Sequence, residues 1–393
     1  MRKGSLYAVA ALGALSDVAH AQSSVALYGV VDEGLNYNSN AGGSRLYNLT
    51  SGGLQGSRWG LRGREDLGGG LAALFALESG FNASNGKAGQ GGLAFGRQAL
   101  VGLAGDFGTV TLGRQYDALV DSVGAFAAAG QWGTAMSAHA GDIDNFNNSY
   151  RANHTVKYRS AAHAGLTFTG TYSLGGVAGD VAANQVWSLG ARYGGGPLAF
   201  GMAYLNARTP AANAGSLFGN NTSTGTPSAV TSPVYRGFTS ANTYQVIGIG
   251  AAYAIGAATI GATYSNIRFM HLGAVPGLNA MRYAGTVAFD NAEINVKYQV
   301  TPALLLGAAF SYTKGSPVRD TSGASRSGAN YLQVAVGADY FLSKRTDVYL
   351  AGVHQKASGT DSTGGPAVAA IRALPASNSN RQTMVRVGIR HRF

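Results

Sequence analysis

From Ala292 to Val300 the chain alternates without a break: Ala292, Ile294, Val296, Tyr298 and Val300 are apolar, while Glu293, Asn295, Lys297 and Gln299 are polar. Only an extended segment sorts such residues into two clean rows, because successive side chains of a strand point to opposite faces. The pattern recurs. Val385, Val387, Ile389 and Phe393 interleave with Arg386, Gly388, Arg390 and Arg392; Leu166, Phe168, Gly170 and Tyr172 with Thr167, Thr169, Thr171 and Ser173; Leu332, Val334, Val336, Ala338 and Tyr340 with Gln333, Ala335, Gly337 and Asp339. Read this way throughout, the sequence predicts sixteen strands, at 25–38, 57–67, 71–83, 93–104, 109–116, 152–160, 165–174, 186–194, 198–207, 243–254, 257–269, 286–300, 303–314, 331–342, 346–357 and 382–393.

The connections constrain the topology further. Every second one is short, at 68–70, 105–108, 161–164, 195–197, 255–256, 301–302 and 343–345, whereas those between are long and rich in Gly, Ser, Thr and Asn, as at 117–151, 208–242 and 358–381. Short turns on one rim, long loops on the other and an even strand number describe an all-β, closed, antiparallel transmembrane barrel. Closure is required because hydrocarbon offers no water to satisfy an open sheet edge. Composition agrees: charged residues are only 12 % of the 393, Gly numbers 59 and Tyr 20, so part of the surface is expected to meet something other than water. Tyr193, Tyr253, Tyr298, Tyr340 and Phe393 fall near the short-turn ends of their strands, as an interfacial aromatic girdle does. With no cysteine, a disulfide scaffold or a thiolate metal site is excluded.

The first residues read as a secretory signal peptide: Arg2 and Lys3, an apolar run from Leu6 to Leu15, and Ala19-His20-Ala21 ahead of Gln22. The expected organisation is therefore a signal peptide at 1–21 and one barrel domain at 22–393. An uncharged stretch at 237–267 has the hydropathy of a transmembrane helix, but its glycines lie among β-branched and aromatic residues, so two strands and a tight turn are expected there.

Several blocks, in order, resemble the Gram-negative porin family: Val25 to Asp32 (VALYGVVD), Ser57 to Gly68 (SRWGLRGREDLG), Leu77 to Phe81 (LESGF), Phe95 to Ala99 (FGRQA), Leu112 to Gln115 (LGRQ) and the ending Gly388 to Phe393 (GIRHRF). The resemblance spans the chain after the signal. It implies a sixteen-stranded trimeric outer-membrane barrel passing small hydrophilic solutes by diffusion, with the third long loop, Asp117 to Tyr150, folded into the lumen. It implies that Arg58, Arg97 and Arg151 form a basic wall at the constriction with Glu78 beside them, and that Asp117, Asp121, Asp142 and Asp144 are candidates for the facing loop. It also makes Phe393 the signal read by the barrel assembly machinery. That loop is Ala-rich and sparingly acidic between Val123 and Ala140.

Strand parity assigns lumen residues independently. Arg58, Arg62 and Arg64 share a face opposite Trp59 and Leu61; Arg151, Asn153, Thr155 and Lys157 oppose Val156 and Tyr158; Arg386, Arg390 and Arg392 share the polar face of the last strand. Arg114 joins this basic set. With 29 Lys and Arg against 18 Asp and Glu, the lumen is expected to be positive and to favour anions, because charges lining a narrow passage raise the local concentration of counter-ions. Arginines spread at strand spacing do not make a nucleic-acid stripe, so no nucleic-acid partner is expected; outer-membrane lipid, small hydrophilic solutes and anions are. No cofactor, metal site or catalytic residue is expected, since no phosphate-cradling glycine motif, Gly-x-Ser-x-Gly elbow or His-x-x-x-His pair occurs. The leading expectation is a general diffusion channel. An outer-membrane barrel enzyme or adhesin is the reading from another class, and a solute-specific channel a third.

Overall fold

The structure is a computed structural model and describes residues 24–221 and 230–393. The expected signal peptide at 1–21 lies outside the described residues. Of the nineteen strands among the described residues, sixteen close one antiparallel barrel: β1 (Ser24–Ala41), β2 (Arg58–Gly68), β3 (Leu71–Gly80), β4 (Gln98–Gly105), β5 (Gly108–Gln115), β6 (Ala152–Arg159), β7 (Leu166–Ser173), β8 (Val186–Gly195), β9 (Leu198–Arg208), β10 (Thr243–Ile255), β11 (Ala258–Leu272), β12 (Tyr283–Thr301), β13 (Leu304–Gly315), β14 (Asn330–Phe341), β15 (Thr346–Ser358) and β16 (Arg381–Arg392). Each pairs with the next in sequence. β1 closes the ring, its first half on β2 (Ser24↔Arg64 to Val30↔Arg58) and its second on β16 (Val30↔Arg392 to Asn38↔Met384). The segment with helix-like hydropathy is the hairpin β10–β11, turning at Gly256.

The burial pattern is inside out relative to a water-soluble sandwich. On β12, Ile294, Val296, Tyr298 and Val300 are exposed, whereas Asn291, Glu293 and Asn295 are buried. On β16, Val385, Val387 and Ile389 face outward while Arg386 and Arg390 point in. Apolar rows facing lipid and polar rows facing a central passage are what a spanning barrel requires. Tyr253, Tyr298, Tyr340 and Phe393 stand exposed near the short-turn rim. Phe393 also extends the pairing of β1, exchanging backbone hydrogen bonds with Gly29, over which its ring lies.

The stretch 39–56, a connection in the strand reading, is mostly paired. β1 turns at Gly42 and Gly43, both at positive φ, into a strand at Ser44–Ser51 that runs beside Glu33 to Ala41. The chain then detours inward at 52–57 before β2 begins. Asp32 holds that detour, accepting from the backbone N–H of Gly53 and of Gln55 at 3.0 and 2.9 Å. Two further short strands, Val318–Asp320 and Ser325–Arg326, extend the wall above β12 and β13. Beside them the long strand ends and the 208–242 loop bury Phe218, Tyr235, Phe238, Phe269, Tyr283 and Phe289 as one aromatic cluster.

Candidate functional site

The third long loop lies inside the barrel. It carries α1 (Ala118–Ser122) and α2 (Ala128–Gln131) and crosses the inner faces of β8 to β14. Glycines on those faces let it lie close. A Cβ at Gly201 would sit 2.0 Å from the Ser122 carbonyl, one at Gly250 2.9 Å from Phe126, and one at Gly307 2.2 Å from the Trp132 indole. Polar side chains of the wall then pin its backbone. Ala118 N–H donates to Ser188 Oγ, Ala128 N–H to Glu293, Asn295 Nδ2 donates to the Phe126 carbonyl, and Gln333 to the Ser137 and Ala138 carbonyls.

The loop's acids serve this anchoring. Asp117 is buried, caps α1 by accepting from Leu119 and Val120 N–H, and accepts from Asn145; burial pushes its carboxyl up to about 6. Asp142 is buried, accepts from Asn147 N–H and from Ser149, and lies 3.5 Å from Arg372 of the last long loop; burial leaves its pKa raised. Asp144 accepts from Ser265 Oγ at 2.7 Å and contacts His139 Nδ1 at 2.6 Å, while His139 Nε2 lies 3.4 Å from Glu293. Burial opposes charge on both partners, but their mutual attraction outweighs it: Asp144 is held below the usual carboxylate range and His139 stays protonated well above its own. Asp121 pairs with Lys157. Of the candidate acids of the facing loop, Asp117, Asp142 and Asp144 are buried, where a loop laid on a wall must satisfy its own backbone.

The basic residues divide by what neutralises them. Arg386 is fully buried under the 52–57 detour, donates to Asn36, Thr50 and the Tyr349 hydroxyl, and meets Asp32 at 3.4 Å. Arg390 pairs with Asp347 at 2.9 Å and Asp339 at 3.1 Å. Arg114 is buried and donates to the Gly96 carbonyl and to Asn220. Arg386 faces inward as parity requires, whereas Arg114, two residues on from exposed Leu112, is buried against parity where the pairing is irregular between Gly113 and Gln115; both are cross-links of wall and loops and not free lumen charges. Arg62 remains exposed, its guanidinium 5.2 Å from the Tyr28 ring centre.

Arg58, Arg97, Arg151 and Glu78 come together on the side opposite the loop. Glu78 Oε1 accepts from Arg97 Nε at 2.6 Å and from the Tyr116 hydroxyl at 3.2 Å; its Oε2 accepts from the Tyr28 hydroxyl at 3.1 Å, with Arg58 Nε at 3.5 Å. Arg97 also donates to the Tyr116 hydroxyl. One carboxylate thus serves two guanidiniums. Arg151 has none: it is 4 % exposed, its guanidinium lies 5.6 Å from the Tyr116 ring centre, and its Nε has no partner among the described residues. Burial and the neighbouring Arg97 lower its pKa to about 9, so it is charged at neutrality. Sequence reasoning misses the two tyrosines that brace this cluster. Tyr28 shares the inward parity set by outward Val25 and Leu27 and is legible on that ground, whereas Tyr116 follows its strand and is not.

Arg58, Arg97 and Arg151 line a cavity of about 560 Å³ together with Asp339, Arg390 and Arg392; the loop side contributes small residues, Val120, Gly124, Ala125, Ala129 and Gly130, and polar ones, Gln131, Asn147 and Asn148. Among known proteins, a family model described as Gram-negative porin matches residues 8–360. The chain is 30% identical over 426 aligned positions, covering all of both chains, to an outer membrane porin protein of Bordetella pertussis. Its fold matches an anion-selective porin from Comamonas acidovorans, with a TM-score of 0.70 at 22% identity over 95% of this chain and 100% of that one. It also matches OmpT of Vibrio cholerae in a trimer form, with a TM-score of 0.63 at 17% identity over 94% and 99%.

Proposed function

Because this chain belongs to the Gram-negative porin family and forms an outer-membrane channel through which small hydrophilic solutes diffuse, we propose that it prefers anions and that Arg58, Arg97 and Arg151 set the preference. The observation that carries this reading is the imbalance at the narrow passage: Arg58, Arg97, Arg151, Arg390 and Arg392 line it, Asp339 is the one acid among its described lining residues, and Glu78 alone serves Arg58 and Arg97. A surplus of fixed cations in a passage with low-dielectric walls concentrates anions and repels cations. Guanidinium suits a crowded cluster because it does not give up its proton there. The anion selectivity stated for the similar Comamonas acidovorans structure is consistent with this reading.

The channel works in our reading without catalysis; His139, Asp144 and Glu293 are engaged in anchoring the loop, and Asp339 and Asp347 in pairing with Arg390. We further infer that residues 1–21 are a signal peptide removed on export, that three copies assemble as in the trimeric OmpT form, and that Phe393 carries the barrel assembly signal. Native gel migration and cross-linking test the trimer, and N-terminal sequencing of the mature protein tests the cleavage site.

The functional test is electrical. Purified protein in a planar bilayer under a potassium chloride gradient should give stable conductance steps and a reversal potential on the chloride side. Replacing Arg58, Arg97 and Arg151 together with Gln should move that potential toward the potassium side. Steps without any shift in the triple variant would remove these residues from the selectivity mechanism.

A further inference from the structure

The outer wall of β6 to β10 carries a cavity of about 580 Å³ that opens toward the lipid and away from the passage. Pairing register explains it. Tyr158, Gly170, Leu189, Tyr204 and Ile247 are successive partners in one row across the five strands, and Phe168, Ala191, Met202 and Ile249 form the next row toward the short turns. In each row one outward position with little or no side chain, Gly170 or Ala191, stands among large ones, so the wall is dented there. The row on the other side of the dent, two residues and about 6–7 Å toward the long loops, changes character: Trp187, Asn206, Gln245 and Arg268 are successive partners in it. The Trp187 and Tyr204 rings lie 4.9 Å apart at the upper edge of the groove, and Asn206 and Gln245 donate to the Tyr204 hydroxyl. Arg208, the next outward residue of β9, and Arg268 are exposed and make no ion pair among the described residues; Asp290 on β12 accepts from the Tyr264 hydroxyl and from Asn266.

We propose that this face holds one phosphate-bearing lipid of the outer leaflet, with an acyl chain in the groove and its phosphate at Arg208 and Arg268. Apolar dent, amphipathic rings, amides and guanidiniums follow one another along the strands in the order in which tail, interface and head group follow along a lipid. The two arginines stand on strands one apart, about 10 Å by strand spacing, within reach of one phosphate from both sides. Guanidinium is the protein cation whose donors best match phosphate oxygens. In hydrocarbon an acyl chain gains no hydrophobic free energy by entering the groove, because the tails around it are equally apolar, so the preference arises from close contact with the dent and from the charged head. The long-loop rim is the outer-leaflet side, which fixes the source of the lipid.

Native mass spectrometry of the mature protein in detergent, titrated with dioleoylphosphatidylglycerol, tests this. One lipid per chain should be retained at a concentration about tenfold below that needed for dioleoylglycerol, which has the tails without the phosphate. Glycerol 3-phosphate, a head without tails, should not displace it at an equal concentration. Arg208→Gln with Arg268→Gln should weaken retention about tenfold. Ala191→Phe, which fills the dent with a ring suited to a lipid-facing position, should weaken it severalfold, while Lys314→Gln with Lys356→Gln, exposed cations on β13 and β15 away from the groove, should leave it unchanged. Equal retention of dioleoylglycerol, displacement by glycerol 3-phosphate, or a loss in the lysine variant equal to that in the arginine one overturns the proposal. An Ala191→Phe protein that loses its oligomeric migration on a native gel also overturns it, since the groove would then belong to a second copy of the chain.

Discussion

Replacing His139 with Gln should loosen the third loop without touching the basic wall. The imidazolium sits between Asp144 on the loop and Glu293 on β12, at 2.6 and 3.4 Å, and all three are buried. Asp144 also accepts from Ser265 and Asn291, and Glu293 from Ala128 N–H, so the triad joins the loop's centre to β11 and β12. Removing the cation leaves two buried carboxylates facing each other. Breaking a buried ion pair from one side costs about 3–5 kcal/mol. If that loss falls on the local equilibrium between docked and undocked loop, undocking becomes more frequent by about two orders of magnitude or more, at 1.4 kcal/mol per factor of ten. Single-channel recording should show much greater open-channel noise and frequent partial closures in His139→Gln. Adding Asp144→Asn, which removes one of the stranded charges, should restore part of the quiet current. The wild-type pH profile follows from the same triad. The contribution of His139, whose folded pKa is raised, is present below its unfolded value and is lost as pH rises through the folded one; that of Asp144, whose folded pKa is lowered, is lost as pH falls through its folded value. Loop noise should thus be flat around neutrality and grow toward the alkaline and strongly acid ends. A His139→Gln channel as quiet as wild type would refute the triad as the anchor.

Three further outcomes are expected. Gly307→Leu places side-chain atoms where the Trp132 indole lies, so the loop must lift from β13 into the passage, and the mean conductance should fall measurably in bilayer recordings. Arg386→Met strands Asp32 in a fully buried site and should lower barrel stability by about 3–5 kcal/mol, read as the denaturant midpoint in detergent, with Arg386→Met plus Asp32→Asn recovering part of the loss. Phe393→Ala removes the proposed assembly signal and the ring over Gly29, and the amount of folded protein in outer-membrane fractions should drop severalfold while the signal-processed chain is still made.

The barrel is legible because lipid and lumen enforce one rule on every strand: β12 and β16 alternate cleanly since each outward residue meets hydrocarbon and each inward one meets water or a polar partner. The segment 44–51 escapes a strand reading although Leu46, Asn48 and Thr50 share a face, because the two-residue Gly42-Gly43 hairpin ahead of it resembles the Gly-rich composition of a long loop. The basic wall is legible by parity at Arg58 and Arg62, but parity gives only the direction of a side chain. It cannot tell Arg386, neutralised by Asp32 across the barrel seam, from Arg151, which has no acid; that difference depends on contacts 354 and 317 residues apart in the chain, those of Arg386 and Tyr349 with Asp32. The burial of the loop's acids is hidden for a related reason. Charge can be counted in a sequence, but the demand of a docked loop for backbone partners cannot. The glycines at 201, 250 and 307, which occupy inward positions of β9, β10 and β13, are the sequence's sign of where the loop lies.

The most direct test of a positively charged passage uses the absence of native cysteine to place a single thiol at Ala125→Cys, on the loop wall across from the arginines. Its rates of modification by a negatively charged and by a positively charged methanethiosulfonate, each divided by the rate with a free thiol in solution, report the local potential. The expected result is a normalised ratio clearly in favour of the anionic reagent, falling toward unity when Arg58, Arg97 and Arg151 are replaced by Gln. A ratio at or below unity in the unaltered lumen would contradict an excess of positive charge there.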